Sequence, residues 1–158
     1  GFDYTKLDSS GNAVAANATN HECFRDNVTG LVWQASASNS TVDYDATSGS
    51  AVPASLCGIS TGWRLPTKAE AESLLHYSRA GVSVDTSLFA TAPTNSWYWT
   101  RSPYPAALSG GVQNDSTGSA HHNWVINFTT GQRSTFDTYG NTAQSQARTL
   151  YVNSTANQ

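Results

Sequence analysis

Charged side chains are scarce in this chain, since Asp, Glu, Lys and Arg make up 12% of its 158 residues, about half of the share in typical globular domains. The eight Lys and Arg residues are scattered, and the net charge is −3. Because nucleic acids and polyanionic polysaccharides are bound through clustered basic residues, the composition argues against both classes of partner. Ser, Thr, Asn, Gly and Ala take the place of charge, which favours a secreted or cell-surface domain.

Long apolar runs are also missing. No stretch approaches the roughly 18 consecutive apolar residues of a membrane-spanning helix, so no membrane insertion is expected. The sequence begins at Gly1 without a signal peptide or an initiator Met, and we expect it to be a processed part of a longer exported protein. Its length suits a single domain that covers residues 1–158.

Cysteine is limited to two residues, Cys23 and Cys57. In an exported domain such a pair is expected to form a disulfide, which would stabilise the fold by about 3–4 kcal/mol for a loop of this length. The alternatives are two buried free thiols, or a zinc site that adds His21 and His76. No CxxC or HxxxH spacing supports zinc, so the disulfide is the favoured interpretation.

Short strands separated by polar loops dominate the chain. Cys23–Asp26 and Leu31–Gln34 flank the sequence Asn-Val-Thr-Gly, a hairpin turn in which Gly30 can adopt a positive φ. Residues 35–56 are expected to be irregular. Alternation and side-chain type predict further strands at Phe2–Leu7, Ser96–Arg101, Asn123–Phe128, Arg133–Phe136 and Arg148–Val152.

One clear helix is predicted, over residues 67–79. Thr67 and Glu70 have the spacing of a capping box at its start, and Gly81 is the expected stop. Its buried face would consist of Leu74, Leu75 and Tyr77. An early helix followed by short strands and long loops indicates an α+β fold.

Three motifs carry a family resemblance. They are CFRDNVTGLVWQ at 23–34, GWRLPT at 62–67 and NWVINFTTG at 123–131. In order and spacing they closely resemble the Lcl C-terminal domain family, the C-terminal domain of collagen-like bacterial adhesins. The resemblance covers nearly the whole chain, including the opening FDYTKLD at 2–8.

The resemblance implies a C-type-lectin-like fold in an exported bacterial protein, often an adhesin, a lipoprotein or a pilus-associated subunit. The best-known member of the family trimerises and binds glycosaminoglycans and host ligands, so a homotrimer is among the states to expect. Related lectin-like folds serve as hypervariable binding proteins. The scarcity of Lys and Arg in this chain argues against the polyanion binding of the family.

Within the motifs, the charged residues are expected to support the fold. Arg25 and Asp26 precede the hairpin turn and are interpreted as a structural ion pair or as anchors for the backbone. Arg64 is expected to reach buried carbonyls or an acid. Three tryptophans are expected in the core, namely Trp33, Trp63 and Trp124.

The candidate ligand-binding residues lie on the later strands and on two loops. Alternation places Tyr98 opposite Trp97 and Trp99, so burial of the Trp pair would turn Tyr98 to solvent, where its ring could contact a sugar or a protein. The polar segment Ser102–His122 is long enough to be functional, and a plain solvated loop is the alternative. The candidate set consists of Tyr98, Arg101, Tyr104, Asn114, Asp115, His121, His122, Asn123, Asp137, Tyr139 and Asn141.

Motifs for catalysis and metal binding are absent from the sequence. There is no GxSxG element, and paired cysteines would leave no reactive thiol, so no enzyme activity is expected. Asp43-Tyr44-Asp45 has the alternate spacing of calcium ligands but lacks the Gly and the closing Glu of an EF-hand loop. We therefore expect no cofactor and no metal, with calcium as the one alternative.

These observations predict a non-enzymatic extracellular binding module of a bacterial surface protein, adhesin or pilus-associated subunit, which recognises a surface glycan. The alternatives are an adhesin head that binds a protein on a host or partner cell, a hypervariable receptor-binding domain, and a structural cap that trimerises a longer fibre.

Overall fold

The computed structural model describes residues 2–77, 81–104, 122–138 and 145–154. Within these ranges there is one α-helix, α1 (Lys68–Glu72), and there are two 3₁₀ turns, Tyr44–Ser48 and Thr86–Leu88. The strands are β1 (Tyr4–Leu7), β2 (Cys23–Asp26), β3 (Val32–Gln34), β4 (Val42–Asp43), β5 (Trp97–Pro103), β6 (His122–Asn127), β7 (Arg133–Asp137), β8 (Gln146–Ala147) and β9 (Val152–Asn153).

The strands of the described ranges form three sheets with antiparallel pairing between neighbours. The orders are β1-β2-β3-β9 in the first sheet, β5-β6-β7 in the second and β4-β8 in the third. The first and last strands therefore share a sheet. Mostly antiparallel strands with one short helix agree with the predicted α+β class. Six of the predicted strands are confirmed, with ends that shift by at most two residues.

The hairpin between β2 and β3 is held by Asp26. Its carboxylate accepts hydrogen bonds from the backbone N–H of Val28 at 2.9 Å and from the hydroxyl of Thr29 at 2.8 Å. Gly30 closes the turn with a φ of 77°, in the region that favours glycine. Arg25 donates to the Asn27 side chain at 3.2 Å. The structural role of Asp26 is confirmed, and it rests on the turn instead of an ion pair with Arg25.

The three-stranded sheet lies between two apolar clusters. Tyr98 and Ile126 belong to one cluster, which also contains Trp33, and Trp99 and Val125 belong to the other. Because both faces of the sheet are covered, alternation along β5 does not turn Tyr98, Trp99 or Thr100 to solvent. Tyr98 is 1% exposed, so the expectation that it faces solvent is wrong.

The cysteines form the expected disulfide between Cys23 in β2 and Cys57. Both residues are buried in the same apolar cluster. The backbone N–H of Cys57 donates to the Glu22 carboxylate at 3.0 Å. The pairing excludes the two alternatives, a pair of free thiols and a zinc site built on these sulfurs.

The helix is shorter than predicted. The capping box is confirmed, because the Thr67 hydroxyl accepts from the backbone of Glu70 and the Glu70 carboxylate accepts from the backbone of Thr67. After Glu72 the chain continues through turns, with Leu74 and Leu75 buried as expected. Tyr77, expected on the buried face, is 64% exposed. The helix ends before Tyr77, so this residue no longer follows the helical spacing that would place it beside Leu74.

A clamp between Arg64 and Glu70 ties α1 to the first sheet. The two terminal guanidinium nitrogens of Arg64 donate to the two carboxylate oxygens of Glu70 at 2.8 and 2.9 Å, and Arg64 also donates to the carbonyl of Leu65 at 3.2 Å. Burial raises the pKa of Glu70, but hydrogen bonds from Arg64 and Thr67 and the charge of Arg64 outweigh it and lower the pKa to about 2. The expectation that Arg64 reaches an acid is confirmed.

Residues 146–153, here called the closing segment, connect all three sheets. Ala147 lies opposite β4, and Arg148 exchanges two backbone hydrogen bonds of 2.9 Å with β5. Val152 pairs with β3 and exchanges backbone hydrogen bonds of 2.9 and 3.0 Å with Arg64. The single strand predicted at 148–152 is wrong, because successive residues of this segment find partners in different sheets.

Replacing both cysteines by alanine, Cys23→Ala with Cys57→Ala, is expected to lower the free energy of unfolding by about 3–4 kcal/mol, because the unfolded chain regains the freedom of the closed loop. Urea denaturation followed by tryptophan fluorescence measures the change. Reduced wild-type protein is the matched control and should unfold at the midpoint of the double variant. An oxidised wild type that is no more stable than either would contradict the prediction.

The Glu70 clamp predicts a pH dependence of stability. A carboxyl whose pKa falls from 4.5 to about 2 on folding stabilises the folded state fully above pH 4.5, and this contribution is lost as the pH falls toward 2. Glu70→Gln keeps the capping geometry but removes the charge, and it should cost about 1–3 kcal/mol at pH 7.

Unfolding free energies measured from pH 7 to pH 2 test this prediction. The difference between wild type and Glu70→Gln should shrink as the pH drops below 4.5. Asp45→Asn, at an exposed carboxylate away from the clamp, is the control and should leave the difference from wild type constant. A Glu70→Gln difference that stays constant with pH would show that the clamp does not hold the charged carboxylate.

Candidate functional site

An aromatic and cationic surface lies where α1 meets the ends of β5 and β6. The rings of Tyr104 and Trp124 meet edge to face, with centroids 5.0 Å apart and an interplanar angle of 78°. The ammonium group of Lys68 lies 5.0 Å from the centroid of the Trp124 ring, within the range of a cation–π interaction. Trp124 is half-buried, so its expected place in the core is wrong.

Backbone contacts fix this geometry. The backbone N–H of Lys68 donates to the hydroxyl of Ser102 at 2.9 Å, which docks the start of α1 on β5. The backbone N–H of Tyr104 donates to the carbonyl of His122 at 2.8 Å, which holds the end of β5 beside β6. Tyr104, Trp124 and Lys68 are therefore positioned by elements of the fold.

Glu72 arranges the charges next to the rings. Its Oε1 lies 2.6 Å from the Lys68 Nζ and 3.0 Å from the Nε of Arg133. Arg133 also donates to the hydroxyl of Tyr77 at 3.0 Å. We call Lys68, Glu72, Tyr104, Trp124 and Arg133 the Trp124 face. It combines ring surfaces with donors and an acceptor, the groups that fix the orientation of a polar ligand.

Three predicted site residues border or belong to this surface. Tyr104 is part of it, and His122 and Asp137 lie opposite each other across β6 and β7. His122 and Asp137 are both half-buried. The Nδ1 of His122 is buried and makes no hydrogen bond within the described ranges. The structure therefore brings together one loop residue and one strand pair from the predicted set.

Two predicted site residues are buried and hold the fold. The hydroxyl of Tyr98 accepts a hydrogen bond from the backbone N–H of Thr94 at 3.1 Å. Asn123 is 7% exposed, and its amide donates to the carbonyl of Thr100 at 3.1 Å. Neither Tyr98 nor Asn123 offers a surface to a ligand, and we do not include them in the candidate site.

The other predicted residues lie elsewhere. Arg101 is exposed and lines a separate pocket with Trp63. Five residues of the candidate set lie outside the described residues, namely Asn114, Asp115, His121, Tyr139 and Asn141.

The described ranges were also searched for metal and membrane features. No three side chains of His, Cys, Asp or Glu in these ranges lie close enough together to hold a metal ion. Asp43, one of the two spaced carboxylates of the calcium alternative, accepts a hydrogen bond from the Gln146 side chain at 3.1 Å. Among the same residues, no helix is long and apolar enough to cross a bilayer.

Sequence reasoning missed Lys68, Glu72 and Arg133. Lys68 and Glu72 are four residues apart at the predicted helix start, so their pairing could have been read from the sequence. The role of Arg133 could not be read from the sequence, because Arg133 lies in β7 and its partner Glu72 lies in α1. The partial exposure of Trp124 was also hidden, because it depends on tertiary neighbours such as Lys68 and Tyr104.

The fold and the site together define an α+β domain of antiparallel sheets with an aromatic and charged surface at one end of its central sheet. The chain belongs to the Lcl C-terminal domain family, whose profile matches residues 22–152. This confirms the resemblance seen in the three motifs. The family comes from bacterial surface or secreted proteins, which implies an extracellular location. No curated protein and no solved structure matches the chain.

Glu72→Gln tests how the Trp124 face is held together. Lys68 and Arg133 lose a shared anionic partner, but the stability should change by less than about 1 kcal/mol because the ion pairs are partly exposed. The indole N–H signal of Trp124 in NMR spectra should shift as the Lys68 ammonium leaves the ring. Asp45→Asn is the control and should leave that signal in place. An unmoved signal in Glu72→Gln would show that Glu72 does not position Lys68.

Proposed function

We propose that this chain is a non-enzymatic extracellular binding module that recognises a surface glycan through the Trp124 face. The observation that carries the proposal is the partly buried Trp124 ring, which meets the Tyr104 ring edge to face and has the Lys68 ammonium over it. Aromatic residues with an apolar body and a polar edge anchor binding at protein surfaces.

The chemistry of the surface suits a sugar. A pyranose ring presents C–H groups on its faces and hydroxyls around its rim, so it needs an aromatic plane beside hydrogen-bond partners. The ring of Trp124, or that of Tyr104 perpendicular to it, supplies the plane. Lys68 and Arg133 supply donors, and the Glu72 carboxylate supplies an acceptor. With two cations and one carboxylate, the face carries little net charge, which favours a neutral or weakly charged glycan over a polyanion.

The same arrangement supports binding without catalysis and without calcium. The carboxylate of the face, Glu72, is already engaged by Lys68 and Arg133, so it is poorly placed to act as a general acid or base. The recognising groups are rings, cations and one paired carboxylate, and none of them requires a metal ion. We propose no cofactor for this site.

We also propose the C-type-lectin-like assignment of the fold and an adhesin or pilus-associated parent protein. Support for the fold comes from the sharing of one sheet by β1 and β9, and from the three-stranded sheet β5-β6-β7 with a long connection between β5 and β6. Support for the parent comes from the family. In this arrangement the Trp124 face lies beside the point where that long connection leaves β5.

Trp124→Ala is expected to weaken binding of a glycan by about tenfold or more, since a central aromatic anchor is lost. A glycan array with and without calcium identifies the sugar, and titration calorimetry measures the affinity of each variant. Tyr104→Ala should weaken binding to a smaller extent. Phe2→Ala removes a ring that is 56% exposed and stacks on His76, outside the Trp124 face, and it should bind as wild type does.

The array and the size of the protein in solution separate the alternatives. Glycan binding that survives Trp124→Ala in a folded variant would contradict the assignment of this face. An array without any hit from folded protein would contradict glycan recognition and favour a protein ligand. An obligate trimer whose interface covers Trp124 would favour a structural cap.

A further inference from the structure

The described part of the chain also contains a pocket that shares no residue with the Trp124 face. Its volume is about 260 Å³, and it opens between the 3₁₀ turn Tyr44–Ser48, the strand β5 and the loop before α1. The pocket is lined by Tyr44, Thr47, Ser48, Val52, Trp63, Arg64, Leu65 and Arg101.

The walls of the pocket are mostly apolar, and several of their polar atoms are used within the fold. Trp63 and Leu65 are buried core residues, and the indole N–H of Trp63 donates to the carbonyl of Ile59 at 2.9 Å. The hydroxyl of Thr47 donates to the carbonyl of Tyr44 at 2.6 Å. A ligand in the pocket therefore meets rings and aliphatic groups, with few vacant hydrogen-bonding positions.

Among the described residues, one positive charge of the pocket has no carboxylate partner. Of its two arginines, Arg64 is neutralised by the two hydrogen bonds to Glu70. Arg101 is exposed, and no carboxylate in the described part of the chain pairs with it. Its backbone N–H donates to the carbonyl of Pro66 at 2.9 Å, which fixes it at the pocket. None of the lining residues is acidic.

We propose that this pocket binds a carboxylate carried on a small apolar body. The guanidinium of Arg101 would hold the carboxylate through two parallel hydrogen bonds, the geometry for which arginine is suited. The apolar body would pack against Trp63, Leu65 and Val52. Two sources share this chemistry, a free aromatic or aliphatic acid and the C-terminal residue of a peptide with an apolar side chain.

Size and polarity separate this ligand from the glycan proposed for the Trp124 face. The pocket is smaller than the roughly 300–1,000 Å³ of sites for drug-sized ligands, so it suits a single residue or a small acid. An acidic sugar would bring several hydroxyls into walls that offer them few partners, and each unpaired buried hydroxyl opposes binding.

N-acetylphenylalanine and its primary amide are the matched probes, since they differ only in the charge of the head group. We expect the acid to bind with shifts of the NMR signals of the Trp63 indole and the Arg101 side chain, and the amide to bind about tenfold more weakly or worse. Arg101→Gln should reduce the affinity for the acid to that for the amide. Arg25→Gln, at an arginine of β2 that lines neither the pocket nor the Trp124 face, should leave it unchanged.

Further probes identify the source of the carboxylate ligand, and a second variant controls for a folding defect. Phenylacetate and a tetrapeptide that ends in phenylalanine distinguish a free acid from a peptide terminus, and tighter binding of either supports the proposal for that source. Val52→Trp fills the pocket and should abolish binding while Arg101 remains. Equal binding of acid and amide, tighter binding of glucuronate than of N-acetylphenylalanine, or full affinity in folded Arg101→Gln would overturn the proposal.

Discussion

The structure depends on the backbone hydrogen bonds of the closing segment, because they join the three sheets through their main chains. Within residues 146–153, Ala147 contacts β4, Arg148 contacts β5 and Val152 contacts β3. Each contact is an ordinary ladder hydrogen bond worth about 0.5–1.5 kcal/mol by itself. Their joint effect is larger, because they fix the first sheet, the second sheet and the 3₁₀ turn relative to one another, and with them both proposed binding sites.

Local features of the fold could be predicted from the sequence. The hairpin turn at 27–30 and the capping box of Thr67 and Glu70 could be predicted because their interacting residues are close together in the chain. The disulfide could be predicted because the chain has only two cysteines. Turn chemistry and capping act over three or four residues, so the sequence alone contains the information. The family resemblance rests on the order of these motifs along the chain.

Features that depend on tertiary neighbours could not be predicted in the same way. Alternation separates Tyr98 from Trp99 correctly, but it cannot tell that a second apolar cluster covers the other face of the sheet. Trp124 looked like a core residue because its strand is apolar, whereas its ring reaches the surface beside Lys68. The end of α1 was placed too late because apolar residues continue beyond Glu72 through turns. The candidate site was therefore only partly visible in the sequence.

The closing segment also has a consequence for how the chain acquires its structure. The pairing of β3 with β9 joins Val32 to Asn153, across most of the chain, so this sheet is completed only after β9 has left the ribosome or crossed a membrane. Contacts of such long sequence separation slow folding. A chain that stays unfolded until its C-terminal residues are available remains compatible with secretion in an extended form, and its cysteines then meet in an oxidising compartment, where their bond can form.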